Sequence, residues 1–128
     1  MKKILSIILI ISLIISFTGC VNGSEFTIGS IENNTLSSMS MKYLKFSGNK
    51  NTRITVKEGE IYEVSVDINT EEGKIDLFIT GENDSKAYEG HDLQTSSFTI
   101  TLDEPGTYKL RLEAKDHKGS YAINWKVK

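Results

Sequence analysis

Two histidines are the residues of this 128-residue chain best suited to acid–base chemistry: His91, in Glu89-Gly90-His91-Asp92, and His117, in Lys115-Asp116-His117-Lys118. Each stands beside an aspartate, an arrangement that tunes an imidazole as a proton carrier or metal ligand. A small hydrolase or metal-dependent enzyme using His91 or His117 with those acids is one reading. The competing reading has both imidazoles solvated, because both stand in charged, glycine-containing stretches. No HExxH, no CxxC and no other metal-ligand spacing occurs. No G-x-S-x-G turn offers a serine nucleophile with its base and orienting acid. The sequence points away from an enzyme and assigns no catalytic residue.

Oxygen-rich acids form a second constellation. Glu71 and Glu72 with Asp76, and Glu82-Asn83-Asp84 with Glu89 and Asp92, supply the carboxylates and carbonyls that calcium takes. Neither follows the EF-hand spacing, and charged turns are normally solvated. Glu71, Glu72 and Asp76 are therefore the calcium candidates if one binds, but no cofactor is expected. Tyr88 falls outside any clean alternation and reads as an exposed ring for stacking a sugar or peptide. With Asn83, Asp84, Glu89, His91 and Asp92 it lies in 81–95, the longest irregular stretch, which is the expected binding loop.

The remaining chemistry is at Cys20, the only cysteine. Lys2 and Lys3, then an apolar run from Ile4 to Phe17, then small residues, give the layout of an export signal; the run is short of the ~20 residues that span a bilayer. Phe17-Thr18-Gly19-Cys20 resembles the bacterial lipobox. That resemblance implies diacylglycerol on the Cys20 thiol, cleavage between Gly19 and Cys20, and a chain moored at the outer face of a bacterial membrane. Two acyl chains hold a protein far better than one, at ~0.8 kcal/mol per buried methylene. A lone exported thiol cannot pair internally, and acylation removes an oxidation hazard.

Loss of residues 1–19 with Lys2 and Lys3 takes the formal charge from −2 to −4. That balance, without clustered Lys or Arg, argues against a nucleic-acid partner. Residues 20–40, rich in Asn, Ser, Thr and Gly, read as the lipidated cysteine and a flexible tether; Phe26 and Ile28 could instead add a short first strand. From residue 41 to 128 the pattern changes to period two. Tyr62-Val64-Val66-Ile68, Phe98-Ile100-Leu102, Tyr108-Leu110-Leu112-Ala114 and Tyr121-Ile123-Trp125-Val127 each alternate with polar residues, as half-buried strands do. Shorter strands fit Lys42–Ser47, Arg53–Val56 and Lys74–Thr80, the last apolar enough on both faces for an interior strand. Trp125, Tyr121 and Tyr108 share the apolar phase and read as core.

Turn residues fall at Lys57-Glu58-Gly59-Glu60, Asp103-Glu104-Pro105-Gly106 and Asp116-His117-Lys118-Gly119, the last read as joining two strands. The expected fold is all-β: an antiparallel two-sheet β-sandwich, jelly-roll-like, of about seven to eight strands.

Three stretches in order, ITVKEGEIYEVSV (Ile54–Val66), GKIDLFI (Gly73–Ile79) and LDEPGTYKLRLEAKDHKGSYAINW (Leu102–Trp125), resemble the bacterial pre-peptidase C-terminal domain and its jelly-roll-like relatives. The resemblance runs from about Lys42 to Val127 and implies the fold. Such domains usually flank exported enzymes; here the expectation is a domain standing alone on its lipid anchor, without an enzyme. The functional expectation is a lipid-anchored, non-enzymatic binding or scaffolding module for an envelope protein or polymer. A structural spacer or subunit of an envelope complex is the third reading.

Overall fold

The computed structural model describes residues 25–128, so the expected signal peptide, Gly19 and Cys20 lie outside the described residues. The chain forms seven strands: β1 (Glu25–Ile28), β2 (Ile31–Asn34), β3 (Ser38–Val56), β4 (Tyr62–Thr80), β5 (Lys86–Gly90), β6 (Ser96–Leu102) and β7 (Gly106–Val127). Every pairing is antiparallel. The order is β1-β3-β7-β4-β5, with β2 also on β3 and β6 also on β4. A jelly-roll-like, all-β sandwich is the architecture.

How one hydrogen-bonded sheet makes a sandwich is answered by three long strands. β3, β4 and β7 run 19, 19 and 22 residues, against a usual strand of about 5–6. All three break register at one level. β3 slips against β7 between Tyr43 and Gly48, and β4 slips against β7 between Thr70 and Lys74. In β7, Asp116 and Gly119 take φ of 48° and 144°. Bulges bend a strand and sharpen its twist, so the sheet folds over at this corner and its two halves share one core.

Before the corner in β3 and β4, Met39, Met41, Val64, Val66 and Ile68 face inward with Ile123 and Trp125 of β7. Beyond it, Ile54, Val56, Ile75, Leu77 and Ile79 face inward with Leu110 and Leu112. Alternation supplied this pattern, and each such burial stabilises by roughly 1.5–3 kcal/mol. Tyr108, Tyr121 and Trp125 are core, as the apolar phase required.

Two glycines are what the corner needs. A Cβ on Gly119 would stand 1.9 Å from the Asn69 carbonyl oxygen, and one on Gly73 2.0 Å from that of Asp116. Both have positive φ, 144° and 77°, so no side chain fits either backbone.

Several sequence expectations are corrected here. Asp116–Gly119 is not a turn between two strands but the bend inside β7. Lys42–Ser47 and Arg53–Val56 are parts of the single strand β3, and Lys74–Thr80 continues the strand that begins at Tyr62. The physical reason is that turns and strand corners draw on the same residues, Gly, Asp and Asn, for the same positive φ. The tether expected over 20–40 enters the sheet from Glu25, where β1 pairs with Phe46 and its neighbours; the alternative strand at Phe26 and Ile28 is the one formed. The other two turns stand: Gly59 takes φ 83° between β3 and β4, and Gly106 opens β7 after Pro105.

One edge is closed by charge. Lys50, opposite Leu112 and so core-facing, is 5% exposed, and its Nζ lies 2.8 Å from the Glu32 carboxylate of β2. The pair joins the first half of the sandwich to the second across their open side.

Candidate functional site

The outer face of the second half-sheet carries the candidate site. β3, β7 and β4 lie side by side there, so their polar phases align in rows. Asp76, Glu113 and Asn49 form one row, Phe78, Arg111 and Asn51 the next, and Thr80, Lys109 and Arg53 the third. Above them is a groove of about 660 Å³, lined among others by Arg53, Phe78, Glu82, Asp84, Lys109 and Arg111. That volume suits a small ligand or a segment of a longer one.

Charge in the groove is arranged unevenly. Arg111 Nε sits 2.8 Å from Glu113 Oε1, and the Thr107 N–H donates to Glu82 Oε1 at 3.2 Å. Arg53 and Lys109, by contrast, stand directly opposite one another on adjacent strands. Neither makes an ion pair among the described residues. Like charges in that position repel.

β5 and the loop after it form one rim. Glu89 is in register with Phe78. His91 follows, 61% exposed, with Nε2 3.1 Å from Glu89 Oε1 and Nδ1 3.6 Å from Asp76 Oδ2. Its ring meets Phe78 edge-on at 5.3 Å. The Asp92 N–H donates to Asp76 Oδ1 at 2.7 Å. Lys86 foremost, then His91, hold the Glu89 carboxyl below its ordinary pKa. So Glu89, His91 and Asp92 of the expected loop converge with Asp76. Asn83 and Asp84 are at the other end of the groove, in a 3-10 turn (Glu82–Asp84) where both take positive φ.

Three expectations for this region need correction. The stretch 81–95 is not irregular throughout, because it contains that turn and β5. Tyr88 is no exposed platform: opposite the core-facing Ile79, it turns inward against Phe98, rings 5.3 Å apart. Glu71 and Glu72 lie at the corner of β4 rather than with Asp76, and among the described residues no group of three or more His, Cys, Asp or Glu side chains is placed to hold a metal.

His117 is the largest correction. It is not solvated but 0% exposed, at the bend of β7. Its Nδ1 bonds the Tyr43 hydroxyl, and its Nε2 lies 2.8 Å from Thr70 Oγ1. Thr70 donates its single hydroxyl proton to the Leu93 carbonyl at 2.7 Å. It must therefore accept from Nε2–H, which leaves Nδ1 to accept from Tyr43. The imidazole is neutral with every site used, and desolvation holds its pKa below the ordinary value. Burial also raises the Tyr43 phenol well above its usual range. Thr70 and His117 thus resemble a nucleophile–base pair in distance only: the proton sits on the wrong nitrogen for a base, and no substrate reaches it.

Sequence reasoning missed Arg53, Phe78, Lys109, Arg111 and Glu113. Their outward phase was visible in the alternation. What was not visible was the register that places β3 beside β7.

No protein-family model matches the chain, and no curated protein is similar to it. Solved structures similar to it include a CBM4 module at 11% identity and TM-score 0.43, covering 86% of this chain and 81% of that one. CBM35 from Paenibacillus barcinonensis is similar at 12% identity and TM-score 0.43, covering 86% and 98%. The enzymatically active domain of tailspike protein 4 from bacteriophage CBA120 aligns at 9% identity and TM-score 0.44; the chain spans 20% of it.

Proposed function

We propose that this chain is a non-enzymatic binding module that presents the groove of its second half-sheet to an oxygen-rich envelope polymer. It is held at the outer face of a bacterial membrane by diacylglycerol on Cys20. One observation carries the reading: Arg53 and Lys109, opposed and without an ion pair among the described residues, beside Phe78 in an open groove of about 660 Å³. A ligand with hydroxyl, carboxylate or phosphate oxygens relieves the repulsion by accepting from both cations, while Phe78 offers a ring for its apolar face. The groove is open to solvent, which suits a long chain passing across it.

Co-sedimentation of the full chain with insoluble envelope polymer tests the assignment. Retention that disappears in the double variant Arg53→Ser, Lys109→Ser supports it, and equal retention of that variant defeats it. Mass spectrometry of natively produced protein tests the anchor separately, by showing a chain that begins at an acylated Cys20.

A hydrolase at His91 is the second reading, favoured by the flanking carboxylates of Glu89 and Asp76. Against it, the partners of His91 among the described residues are those two acids and the Phe78 ring, with no serine or threonine hydroxyl beside it. Turnover of an ester or glycoside substrate that is lost in His91→Ala would revive it.

A further inference from the structure

Away from the groove, the β1–β2 edge displays large apolar side chains to solvent. Phe26 is 59% exposed, Ile28 47%, Ile31 76% and Leu44 61%. Their common orientation follows from register. Thr27 is opposite the buried Phe46, so Phe26 and Ile28 on either side of it point outward. Glu32 is opposite the buried Met41, so Ile31 next to it also points outward. Leu44 lies in the bulge between the inward Tyr43 and Phe46 and packs over Gly29, in the turn between β1 and β2. The four residues therefore form one patch. Exposed apolar clusters of this kind mark a surface that is covered in use.

What covers it is indicated by the chain that leads to it. Phe26 is six residues after Cys20, and six residues extended reach at most about 20 Å. An acylated Cys20 therefore holds Phe26 within about 20 Å of its lipid. The polar neighbours fit the same surface. Lys45 is in register with Ile28 and Lys42 with Ile31, so each isoleucine has a lysine beside it, able to rest its stem on the apolar patch and its ammonium among anionic headgroups. The β2 acid is withdrawn: Glu32 turns inward to Lys50. An acid lies near as well, Asp116, 3.4 Å from the Lys45 Nζ.

We propose that Phe26, Ile28, Ile31 and Leu44 form a membrane-contacting patch that inserts into the bilayer interface beside the Cys20 lipid. This rests on the lipid-anchor reading above. It fixes which edge of the sandwich faces the membrane, beyond the fact of attachment.

The test uses full-length protein processed in a bacterial host and reconstituted into vesicles of three parts phosphatidylcholine to one part phosphatidylglycerol with brominated acyl chains. Each variant's emission is read as the difference from that of the wild type, whose only tryptophan is Trp125; Phe26→Trp reports on the patch. Ile61→Trp, on the turn before β4, is the control. Quenching of the Phe26→Trp emission by half or more, with Ile61→Trp unchanged relative to unbrominated vesicles, is the expected result. Acylated protein with neither tryptophan quenched overturns the patch and leaves the anchor standing. If mass spectrometry finds an unmodified Cys20, the anchor fails; absence of quenching when that protein is mixed with the same vesicles then overturns the patch as well. A blue-shifted Phe26→Trp emission in vesicle-free solution, accompanied by a dimer mass in light scattering, assigns the patch to a second copy and also overturns the proposal.

Discussion

The corner around His117 and the rim around His91 are built from the same residue types, an imidazole with an aspartate next to it in the chain. They do opposite work. At the corner, β4 and β7 bend together and enclose the ring, Asp116 points away to Lys45 and Ser47, and the imidazole is spent on Tyr43 and Thr70. At the rim, the ring stands in solvent between Glu89 and Asp76, free to meet a ligand. The difference is one of strand phase. His117 falls on the inward side of a bend, where a polar group must satisfy itself within the protein. His91 falls past the end of β5, where its ring is exposed and Nε2 meets the Glu89 carboxylate. Proximity to an acid in sequence decides neither case.

The strongest way to break this comparison is to deny the corner its shape. Gly119→Ala puts a methyl group 1.9 Å from the Asn69 carbonyl oxygen at a φ of 144°. We expect a loss of about 4 kcal/mol or more, read as failure to fold or an early urea midpoint. Gly59→Ala, with nothing within 4 Å of the added carbon, should lose about 1 kcal/mol through its positive φ alone.

His117→Ala comes next. It leaves a cavity and strands the Tyr43 hydroxyl in the interior, for an expected cost of about 3 kcal/mol. His91→Ala should change stability by no more than about 0.5 kcal/mol. Equal costs from the two histidines, measured by urea unfolding, would end the distinction between corner and rim.

Acid sharpens the same contrast. The folded state holds His117 neutral, with its pKa lowered by burial, while the unfolded chain takes up the proton near pH ~6.5. Between those two values the unfolded state binds more protons, so stability falls as pH drops below about 6.5. Protonation at Nδ1 would also displace the Tyr43 proton from its acceptor. Melting temperature of the wild type should therefore fall more steeply below that pH than that of His117→Ala. Parallel curves for wild type and His117→Ala would show that the imidazole is not held neutral.

Much of the scaffold was legible in the sequence. The alternation of Tyr62–Ile68 and Tyr121–Trp125 named strands and their buried faces, because period two is imposed locally by the pleat; Val127, expected in the same apolar phase, is 48% exposed at the end of β7. The corner was not legible. Asp116 and Gly119 carry the composition of a turn, and whether the chain reverses or bends depends on the partner strand, which alternation does not identify. Loop residues were found in part: Glu89, His91 and Asp92 do gather, but around Asp76 and Phe78. Arg53 and Lys109 are 56 positions apart in the chain, and only the β3–β7 register brings them together. The pairing of Lys50 with Glu32 was hidden for the same reason, with a lysine placed on the inward phase against the composition rule.

Within the groove the effects are on binding rather than folding. Phe78→Ala removes the half-buried ring that meets His91 and should weaken retention of envelope polymer about tenfold, or 1.4 kcal/mol. Its far-ultraviolet circular dichroism should be unchanged, because the side chain points away from the core. Unaltered retention would move the binding face elsewhere, and the small polar side chains on the outer face of the first half-sheet, among them Ser40, Ser65 and Thr99, would be the surface to test next.

The smallest effect belongs to His91 as a ligand contact. The ring is 61% exposed and its two carboxylate partners are themselves part-exposed, so solvent screens what it contributes. Substitution by alanine should weaken polymer retention about threefold, well under 1 kcal/mol, and should relax the Glu89 carboxyl toward its ordinary pKa by removing the second of its hydrogen-bond donors, with Lys86 still in place. Titration of Glu89 by carbon-detected nuclear magnetic resonance follows that shift directly. A threefold loss accompanied by the Glu89 shift would place His91 at the rim as a positioning group for its acid neighbour. A loss of a hundredfold or more would instead make His91 the principal contact, with Phe78 and the two opposed cations serving it.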